Sequence, residues 1–580
     1  MRVTILNEVP EDPELSVAWN ELVWRMEHPE VFFTYQWALA ASRAFRESLH
    51  PLLFLMHDSD QLSGVAALAI DLNMPKRAVF LGASTADYCD VLSATENRGL
   101  TLDALLREMK KLGLRDLVLA NLPSDSSTLM ELPRVARSCG FHRASRAAYE
   151  CPVVEFGNEQ QRKDLVRAVA HKEREKRGLK RLGMAGSIQV THANAPEQVE
   201  QNLKSIVHTQ VLRFLATDRV SPLVHAERRT FLKEVGSLLA QAGWLKISRL
   251  EVNGEPIAWN YGFRFGDSWL WYLPTFQVQH EDSSPGSCLL RLLVEEGCAD
   301  ASLRRLDLGL GGESYKDRFG NALRRTCYVE LSRSFAQCIA NISRQALTSN
   351  IARFPRFEKK LRRARDLARA LRTRIQETGI AAVSEHLFRR LTGYFKSQDE
   401  VLVFEAPEIG AHDPLASIQL SPLSWDNLAE AAIDHACDPS ALRYLMRCAQ
   451  RKKLGVASGF VLAEPARTPV HYLWVTSFDG FHLSELNHTL DCADPTAAVI
   501  FDCWTPVKSR GRSHYATAIR QAAANLQREG RKAWVFSAAT NLSSVRGILK
   551  AGFEYRFSLV RFNRFGHPVV IRRDGTNSLP

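Results

Sequence analysis

The sequence lacks the features that mark several common classes of protein. Its eleven cysteines are scattered, and none stands in a CxxC pair or at zinc-ligand spacing, which argues against a disulfide framework or a zinc finger. The seventeen histidines form no HxH or HExxH set, so no metal is expected. No run of about 18 apolar residues occurs, and the N-terminus has no signal-peptide core. These absences predict a cytoplasmic protein without a membrane span or a metal centre.

The bulk composition is that of a globular protein with one unusually basic segment. The chain has 580 residues, of which 45% are apolar and 24% charged, so three or four domain-sized cores are expected. Much of its net charge of +11 lies within 351–375, where ten basic residues face two acidic ones. That pattern suits an anionic membrane surface or RNA, but a helix that packs between domains with a solvated basic side is favoured. A nucleic-acid partner is therefore not expected, and peripheral membrane contact through 351–375 stays open.

One order of elements recurs three times along the chain. The order is strand, strand, strand, helix, strand, helix, strand, traced up to about residue 155, again up to about 335, and again after 400. This alternation predicts an α/β (α+β) protein made of repeated domains. The expected boundaries are 1–160 and 161–335 for two units, 336–398 for a basic helical linker, 399–566 for a third unit and 567–580 for a tail.

A basic turn in the third unit joins an apolar strand to an amphipathic helix. The turn contains Lys508, Arg510, Gly511, Arg512 and Ser513. Free amides at a helix N-terminus attract an anion such as a diphosphate, and glycine allows a positive φ and close backbone approach. The basic side chains would add charge-assisted contacts. A surface turn with hydrated basic residues explains the same pattern equally well.

The stretch IFDCWTPVKSRGRSHYATAI, followed by NLSSVRGILKAGFEY, resembles the GNAT (Gcn5-related) acyltransferase family. The family's diphosphate loop, Q/R-x-x-G-x-G/A, corresponds here to 508–513, with Lys and Ser at its ends. The resemblance implies a separate GNAT domain over 400–566 with acetyl-CoA, or another acyl-CoA, as co-substrate. It places Cys503, Trp504 and Thr505 along the pantetheine arm in the manner of an added strand, and Asn541 near the same arm.

The catalytic groups of this unit are less well defined. GNAT enzymes often use a tyrosine a few residues before the Gly-Phe pair as general acid, but Ile548 stands at that place and Tyr555 is the substitute considered. Glu485, in the predicted strand FHLSELNHTL, is the candidate general base, ahead of His488 and Asp502. A solvated strand carboxylate is the simpler explanation of Glu485.

A second resemblance covers about residues 1–335. The stretch SPGSCLLRLLVEEGCADASLRRLDLGLGGESYKDRFG, 284–320, is similar to the CelD/BcsL-type acetyltransferases of bacterial polysaccharide biosynthesis. The features in common are a Pro-Gly turn into a helix, a D-x-G-x-G strand end and a Tyr-Lys pair. FFTYQWALAASRAF and FLGASTADYCDVLSA fit that family's N-terminal half. The two resemblances imply three GNAT-like mixed-sheet units, the first two arranged as a FemAB-like tandem, plus the basic helical linker.

The Pro-Gly turn is a second candidate coenzyme site. Ser284, Gly286 and Ser287 open a helix with free amides, but the turn has no basic residue and its hold on a phosphate should be weaker. In the loop that follows the next strand, Glu313, Tyr315 and Lys316 are candidate catalytic residues. Lys316 would stabilise an oxyanion or a substrate phosphate. A surface ion pair between Lys316 and Glu313 is the alternative.

Acidic residues of the first two units are candidates for holding the acceptor. Asp87 and Tyr88, with the nearby Asp90, follow a strand of the first unit, and Asp307 ends a strand of the second. Asp87, Tyr88 and Asp307 are expected to bind substrate, and Asp307 is also considered beside Glu313 as a proton acceptor. A solvated acidic loop is the more common meaning of such a cluster.

The resemblances imply direct transfer of an acyl group from acyl-CoA to an amine or hydroxyl of a sugar or envelope precursor, without a metal. Association with a polysaccharide biosynthesis complex is a further expectation. Two alternatives remain open from the sequence. One is FemAB-like transfer from aminoacyl-tRNA, with the basic linker holding RNA. The other is a degenerate scaffold for a polysaccharide synthase, which the missing tyrosine at Ile548 favours.

Overall fold

The structure, a computed structural model, describes residues 1–352, 399–408, 418–463, 468–564 and 567–574. The linker predicted beyond residue 352, including nearly all of the basic segment 351–375, lies outside the described residues. The chain divides into a first unit, Met1–Arg213 with Pro222–Pro355, and a second unit, Arg356–Pro580 with Phe214–Ser221.

The N-terminal half of the first unit, here the N-half, alternates strands with helices. Its strands are β1 (Arg2–Leu6), β2 (Leu49–Asp58), β3 (Gln61–Asp71), β4 (Arg77–Phe80), β5 (Leu92–Ser93), β6 (Asp116–Pro123) and β7 (His142–Glu155). Its helices are α1 (Pro13–Trp24), α2 (Tyr35–Ala44), α3 (Arg98–Lys111) and α4 (Ser127–Ser138). Side-chain caps fix where three of these helices begin, since Asp12, Thr34 and Ser126 each accept hydrogen bonds from first-turn amides.

The remainder of the first unit, here the C-half, repeats this order. Its helices are α5 (Glu159–Ala170), α6 (Glu173–Ala185), α7 (Val199–Leu215), α8 (Ala226–Gln241), α9 (Pro285–Ala299), α10 (Ser314–Phe319) and α11 (Phe335–Ala352). Its strands are β8 (Ile188–Ala193), β9 (Leu245–Val252), β10 (Glu255–Phe265), β11 (Ser268–Phe276), β12 (Arg305–Asp307) and β13 (Ala322–Ser332). Helices α5 and α6 are separate because Lys172, which lies between them, is extended at ψ 101°.

The two halves share one sheet by exchanging their last strands. The order along the sheet is β1-β2-β3-β4-β6-β13-β7-β12-β11-β10-β9-β8, with β5 paired to β3. Strand β13 of the C-half lies between β6 and β7, and β7 of the N-half lies between β13 and β12. Neither half can complete its sheet alone, so the tandem folds as one unit.

The second unit has the same order of elements around its own sheet. Its strands are β14 (Asp399–Glu405), β15 (Gln419–Pro422), β16 (Ser458–Ala463), β17 (His471–Ser477), β18 (His482–Leu483), β19 (His488–Thr489), β20 (Ala497–Trp504), β21 (Lys532–Ala538), β22 (Glu554–Arg564) and β23 (His567–Asp574). Its helices are α12 (Trp425–Asp434), α13 (Pro439–Leu454), α14 (His514–Arg528) and α15 (Leu542–Lys550).

Eight strands of the second unit form a sheet in the order β15-β16-β17-β20-β21-β14-β22-β23. Strand β14 takes the place between β21 and β22 that β13 takes between β6 and β7. The sheet continues through β23, so 567–574 is not part of a tail. The predicted order holds in the first two repeats. In the third, the predicted strand FHLSELNHTL is instead the separate β18–β19 hairpin, and β16 was not predicted. Each repeat also has a strand and two helices ahead of this order, and those of the third, β15, α12 and α13, were not predicted.

Each repeat contains one parallel pair of neighbouring strands, namely β4–β6, β11–β12 and β20–β21. These pairs last only three or four residues, after which the strands separate. The carboxyl ends of parallel strands leave a crevice where they diverge, and such crevices are common binding sites in α/β proteins.

Candidate functional site

The crevice of the second unit opens where β20 separates from β21. The ladder pairs Ala497–Ile500 with Lys532–Val535 and then stops, although β20 continues to Trp504. On its other edge β20 carries a β-bulge, because Asp502 and Cys503 together face one residue of β17, and Asp502 has φ +45°. The backbone from Phe501 to Trp504 is therefore without a strand partner on the β21 side.

The cleft has two parts that share Cys503, Tyr515, Asn541 and Ser544. The turn side is lined by the connection from β20 to α14 and by the start of α15, and has a volume of about 540 Å³. The hairpin side is lined by the β18–β19 hairpin and the ends of β20 and β21, with about 530 Å³. Because four residues line both parts, the two parts adjoin each other at these residues.

The turn side brings together most of the predicted coenzyme residues. Those that line it are Cys503, Trp504, Thr505, Arg510, Gly511, Ser513 and Asn541. Lys508 and Arg512 are exposed and lie outside the lining. The structure adds cations from α15, Arg546 and Lys550, that the sequence analysis did not associate with the turn.

Helix α14 begins without a side-chain cap. Gly511 has φ +80° and Ser513, the N-cap residue, has φ +60°. The backbone amides of Gly511, Arg512, Ser513 and Tyr515 donate to no acceptor among the described residues, and the Ser513 hydroxyl instead accepts from Lys550 Nζ at 2.7 Å. Unpaired amides, a helix N-terminus and nearby cations together form an anion-binding surface.

Besides Arg546 and Lys550, two uncharged side chains of the turn side, His471 and Tyr515, were not predicted from the sequence. His471, the first residue of β17, is 1% exposed and lines the cleft, with Nδ1 2.7 Å from Thr505 Oγ1. Tyr515 lines both parts, and its hydroxyl lies 3.1 Å from Ser544 Oγ. Burial raises the pKa of the Tyr515 hydroxyl and that of the Cys503 thiol, so both groups stay protonated.

The hairpin side contains the candidate base, but its local structure differs from the prediction. Residues 482–489 form two short strands rather than one, and Glu485 lies exposed in the turn between them. Arg447 and Arg451 line the same side, and Arg451 Nη1 is 2.8 Å from Asp502 Oδ2. Asp502 is thus engaged by Arg451, whereas within the described part of the chain Glu485 accepts only from the Ser484 hydroxyl, at 3.1 Å. His488 does not line this side of the cleft.

Tyr555, the predicted general acid, lies elsewhere. Its ring packs against Phe404 with centroids 5.9 Å apart, in the core on one face of the sheet, and it does not line the cleft. Ile548 is fully buried in the same core. Tyr515 is therefore the tyrosine that reaches the cleft, and the assignment of Tyr555 is corrected on this ground.

In the first unit, two predicted substrate-binding residues are structural. Tyr88 and Asp307 are 0% and 1% exposed, and the Tyr88 hydroxyl donates to Asp307 Oδ2 at 2.9 Å. Arg324 Nη1 lies 3.0 Å from Asp307 and 2.7 Å from the buried Glu30 carboxylate. All these groups are engaged with one another, so neither Tyr88 nor Asp307 is available to a substrate or to a proton-transfer step.

Asp90 is also a structural residue. Its carboxylate accepts from the hydroxyls of Ser126 and Thr128, at 2.5 and 2.6 Å, at the start of α4. It is 7% exposed.

Asp87 reaches the point where β11 and β12 diverge in the C-half. A Cβ placed on Gly309 would lie 2.3 Å from Asp87 Oδ2, so only glycine fits there, and Gly309 has φ +68°. Burial and the neighbouring Asp307 raise the pKa of Asp87 to about 7, against the lowering effect of Lys316.

Lys316 is buried rather than at the surface. Its Nζ donates to the Leu310 carbonyl at 2.6 Å and pairs with the exposed Glu313 at 3.2 Å. The ion pair considered as the alternative thus exists, but with a buried lysine. The Tyr315 hydroxyl accepts from Trp271 Nε1 at 3.0 Å, and burial raises the pKa of Tyr315 to about 12.

Helix α9 resembles α14 at its start. Ser284, the N-cap residue, has φ +50° and makes no side-chain cap, while Gly286 and Ser287 follow Pro285 in the first turn. The turn itself has no basic residue, as the sequence shows, but Arg174 of α6 reaches it, and its Nε donates to Ser284 Oγ at 2.8 Å. Helix α6 also packs tightly here, since a Cβ on Gly178 would lie 2.2 Å from the Ser283 carbonyl.

Residues 170–317 match the family described as an acetyltransferase (GNAT) domain. This segment is similar to GNAT-type domains. It covers about a quarter of the chain and lies within the first unit, while the narrower CelD/BcsL resemblance and the predicted domain boundaries stay predictions. Among proteins of curated function, none matches the sequence.

Several solved structures share a similar arrangement. They include FemX (9% identity, 59% of this chain and 99% of that chain, TM-score 0.41), L-PGS from Bacillus licheniformis (12%, 60% and 98%, 0.36) and a tandem GNAT protein from the clavulanic acid biosynthesis pathway (11%, 57% and 98%, 0.34).

Among the described residues, no group of three or more His, Cys, Asp or Glu side chains is arranged to hold a metal ion. Within the same ranges, no helix has the length and apolarity needed to cross a bilayer.

Proposed function

We propose that the second unit binds acyl-CoA, most simply acetyl-CoA, and transfers the acyl group directly to an amine or hydroxyl acceptor. The observation that carries the proposal is that two features adjoin in one cleft. The unpaired amides at the start of α14 suit a diphosphate, and the cleft runs from them along the unpaired edge of β20. An extended arm bound to that edge would have its phosphates at the turn and its thioester near the bulge.

The residues of the cleft fit a direct reaction. The acceptor nitrogen or oxygen attacks the thioester carbonyl carbon, the new C–N or C–O bond forms, and the C–S bond breaks. Glu485, on the hairpin side, takes the acceptor proton, and the backbone amides beside the bulge stabilise the developing oxyanion. Tyr515, which lines both parts of the cleft, gives its proton to the departing thiolate. Cys503 lies at the junction, the place where the turn side and the hairpin side share lining residues. Because its thiol is protonated, direct transfer is favoured over an acyl-cysteine intermediate.

The proposed acceptor is a sugar or an envelope precursor. The resemblance in sequence points to a sugar or envelope precursor, and to association with a polysaccharide complex. The lining of the hairpin side, with Arg447, Arg451 and Glu485, is compatible with a polar acceptor of that kind.

The first unit, which contains the GNAT-type segment 170–317, is proposed to hold a second, weaker coenzyme site at Ser284, Gly286 and Ser287. Lys316 remains the candidate for stabilising charge there, with Glu313 and Tyr315 beside it.

The proposal is tested by following thiol release and acyl transfer from radiolabelled acetyl-CoA to a panel of amino sugars, nucleotide sugars and simple amines. Calorimetry of acetyl-CoA against the wild type, Gly511→Glu and Gly286→Glu counts the sites and assigns them. Loss of transfer in Gly511→Glu but not in Gly286→Glu is expected. Full transfer by Gly511→Glu would remove the second unit as the catalytic one.

A further inference from the structure

One buried nitrogen in the cleft of the second unit has no partner. His471 Nε2 is inaccessible to solvent and makes no hydrogen bond within the described structure, although the residue lines the turn side. A buried polar atom without a partner destabilises the fold, and phenylalanine at the same place would avoid that cost. An unpaired nitrogen at a cleft wall is therefore a group for which a ligand can supply the partner.

The hydrogen bond made by the other ring nitrogen, Nδ1, determines whether Nε2 carries a proton. Nδ1 lies 2.7 Å from Thr505 Oγ1, and we assign the hydroxyl as the donor of this hydrogen bond, since it makes no other one within the described residues. The hydroxyl proton is satisfied if Thr505 donates to Nδ1, and Nδ1 is then the unprotonated nitrogen. Burial, together with the neighbouring His514, lowers the pKa of His471 to about 3, so the ring is neutral. Nε2 is thus an uncharged N–H donor.

Its place along the cleft indicates which part of a coenzyme it meets. His471 lies beside Thr505, at the end of the unpaired edge of β20, and its ring is 5.6 Å from that of Tyr515 at the junction. The phosphate-binding groups, with Arg510 and Lys550, are charged or are backbone amides of the turn. A neutral donor between the turn and the junction suits a neutral carbonyl oxygen rather than a phosphate.

We infer that His471 is a coenzyme-binding residue, whose Nε2–H donates a hydrogen bond to an amide carbonyl oxygen of the pantetheine arm. This inference rests on the proposed function, since it assigns the arm to the β20 edge. It adds a side-chain contact from β17 to the backbone pairing described above, and it sets specificity for the arm rather than for the nucleotide.

The test compares two ligands and two variants of the full chain by calorimetry. Acetyl-CoA contains the arm, and adenosine 3′,5′-bisphosphate does not. His471→Phe keeps the ring but removes the donor, and should weaken acetyl-CoA binding about tenfold, the value of one hydrogen bond, while leaving the bisphosphate unchanged. His471→Gln, whose amide nitrogen approaches the position of Nε2, should stay within about threefold of the wild type for both ligands.

The outcomes separate the inference from the proposed function. Unchanged acetyl-CoA binding by His471→Phe overturns the inference, and so does a parallel loss of bisphosphate binding, which would mark a structural role. A wild type that binds neither ligand overturns the proposed function and the inference with it. If His471→Phe fails to fold, long-range proton–nitrogen spectra of the wild type decide the matter. Protonated Nε2 whose signal shifts with acetyl-CoA but not with the bisphosphate supports the inference, and protonated Nδ1 contradicts it.

Discussion

Gly511→Glu tests the anion site at the start of α14 with a matched control. A Cβ at Gly511 would meet no atom within 4 Å, so the substitution costs only the strain of φ +80°, about 1 kcal/mol. Gly530, after the same helix, has φ +73° and equally open space but lies outside the cleft. Gly530→Glu should therefore lose the same stability without touching the site.

The two variants are expected to differ in coenzyme binding. A carboxylate about 5 Å from a phosphate charge costs roughly 1–3 kcal/mol at effective dielectric constants of 80 to 20. The Kd of acetyl-CoA should rise about 5- to 200-fold in Gly511→Glu and stay unchanged in Gly530→Glu. Calorimetry at low and high salt checks that the weaker binding is electrostatic, because salt screening should reduce the rise in Kd. Equal affinity of the two variants would refute the anion site.

Three further predictions concern other residues. Tyr515→Phe should lower kcat about 10²-fold with little change in KM, while Tyr555→Phe, in the core, should leave both constants nearly unchanged; equal effects in a steady-state assay would contradict the assignment. The pKa of Asp87 is raised from 3.8 to about 7 in the folded state, so the protonated form of Asp87 favours folding. This contribution to the free energy of unfolding is complete below pH 4 and is lost as the pH rises to 7. Denaturant titrations of the wild type and Asp87→Asn should therefore show a difference in unfolding free energy that grows by up to about 4 kcal/mol over this range, and a constant difference would argue against the shift. Arg324→Met should destabilise the first unit by about 3–5 kcal/mol in calorimetric unfolding, since it leaves the buried Glu30 short of a partner; a loss below 1 kcal/mol would contradict the buried network.

The repeated order of elements was predictable because it follows from local patterns. Alternating apolar residues and short turns predicted most strands, and the glycine turn at Gly511 was visible because a strand precedes it and an amphipathic helix follows. The exchange of β7 and β13 was not predictable, since strand pairing across hundreds of residues leaves no local signal. The two strands and two helices at 419–463 were missed because no motif drew attention to them.

Side-chain environment was the least predictable part of the site. Tyr88 and Asp307 had the residue types of a binding site, but only the packing of Arg324 and Glu30 from distant segments shows them to be buried partners. Tyr515 stood two residues after Ser513, close enough for the sequence to suggest it. His471 had one usable signal, a polar residue opening the apolar strand HYLWVTS, but its neighbour Thr505 is 34 residues away.

A crystal structure of the chain grown with CoA is the most direct test of the proposed coenzyme cleft in the second unit. We expect diphosphate density against the amides of Gly511 to Tyr515 and an extended arm along Phe501 to Trp504. CoA ordered only at another place, with the β20 edge covered by protein, would contradict it.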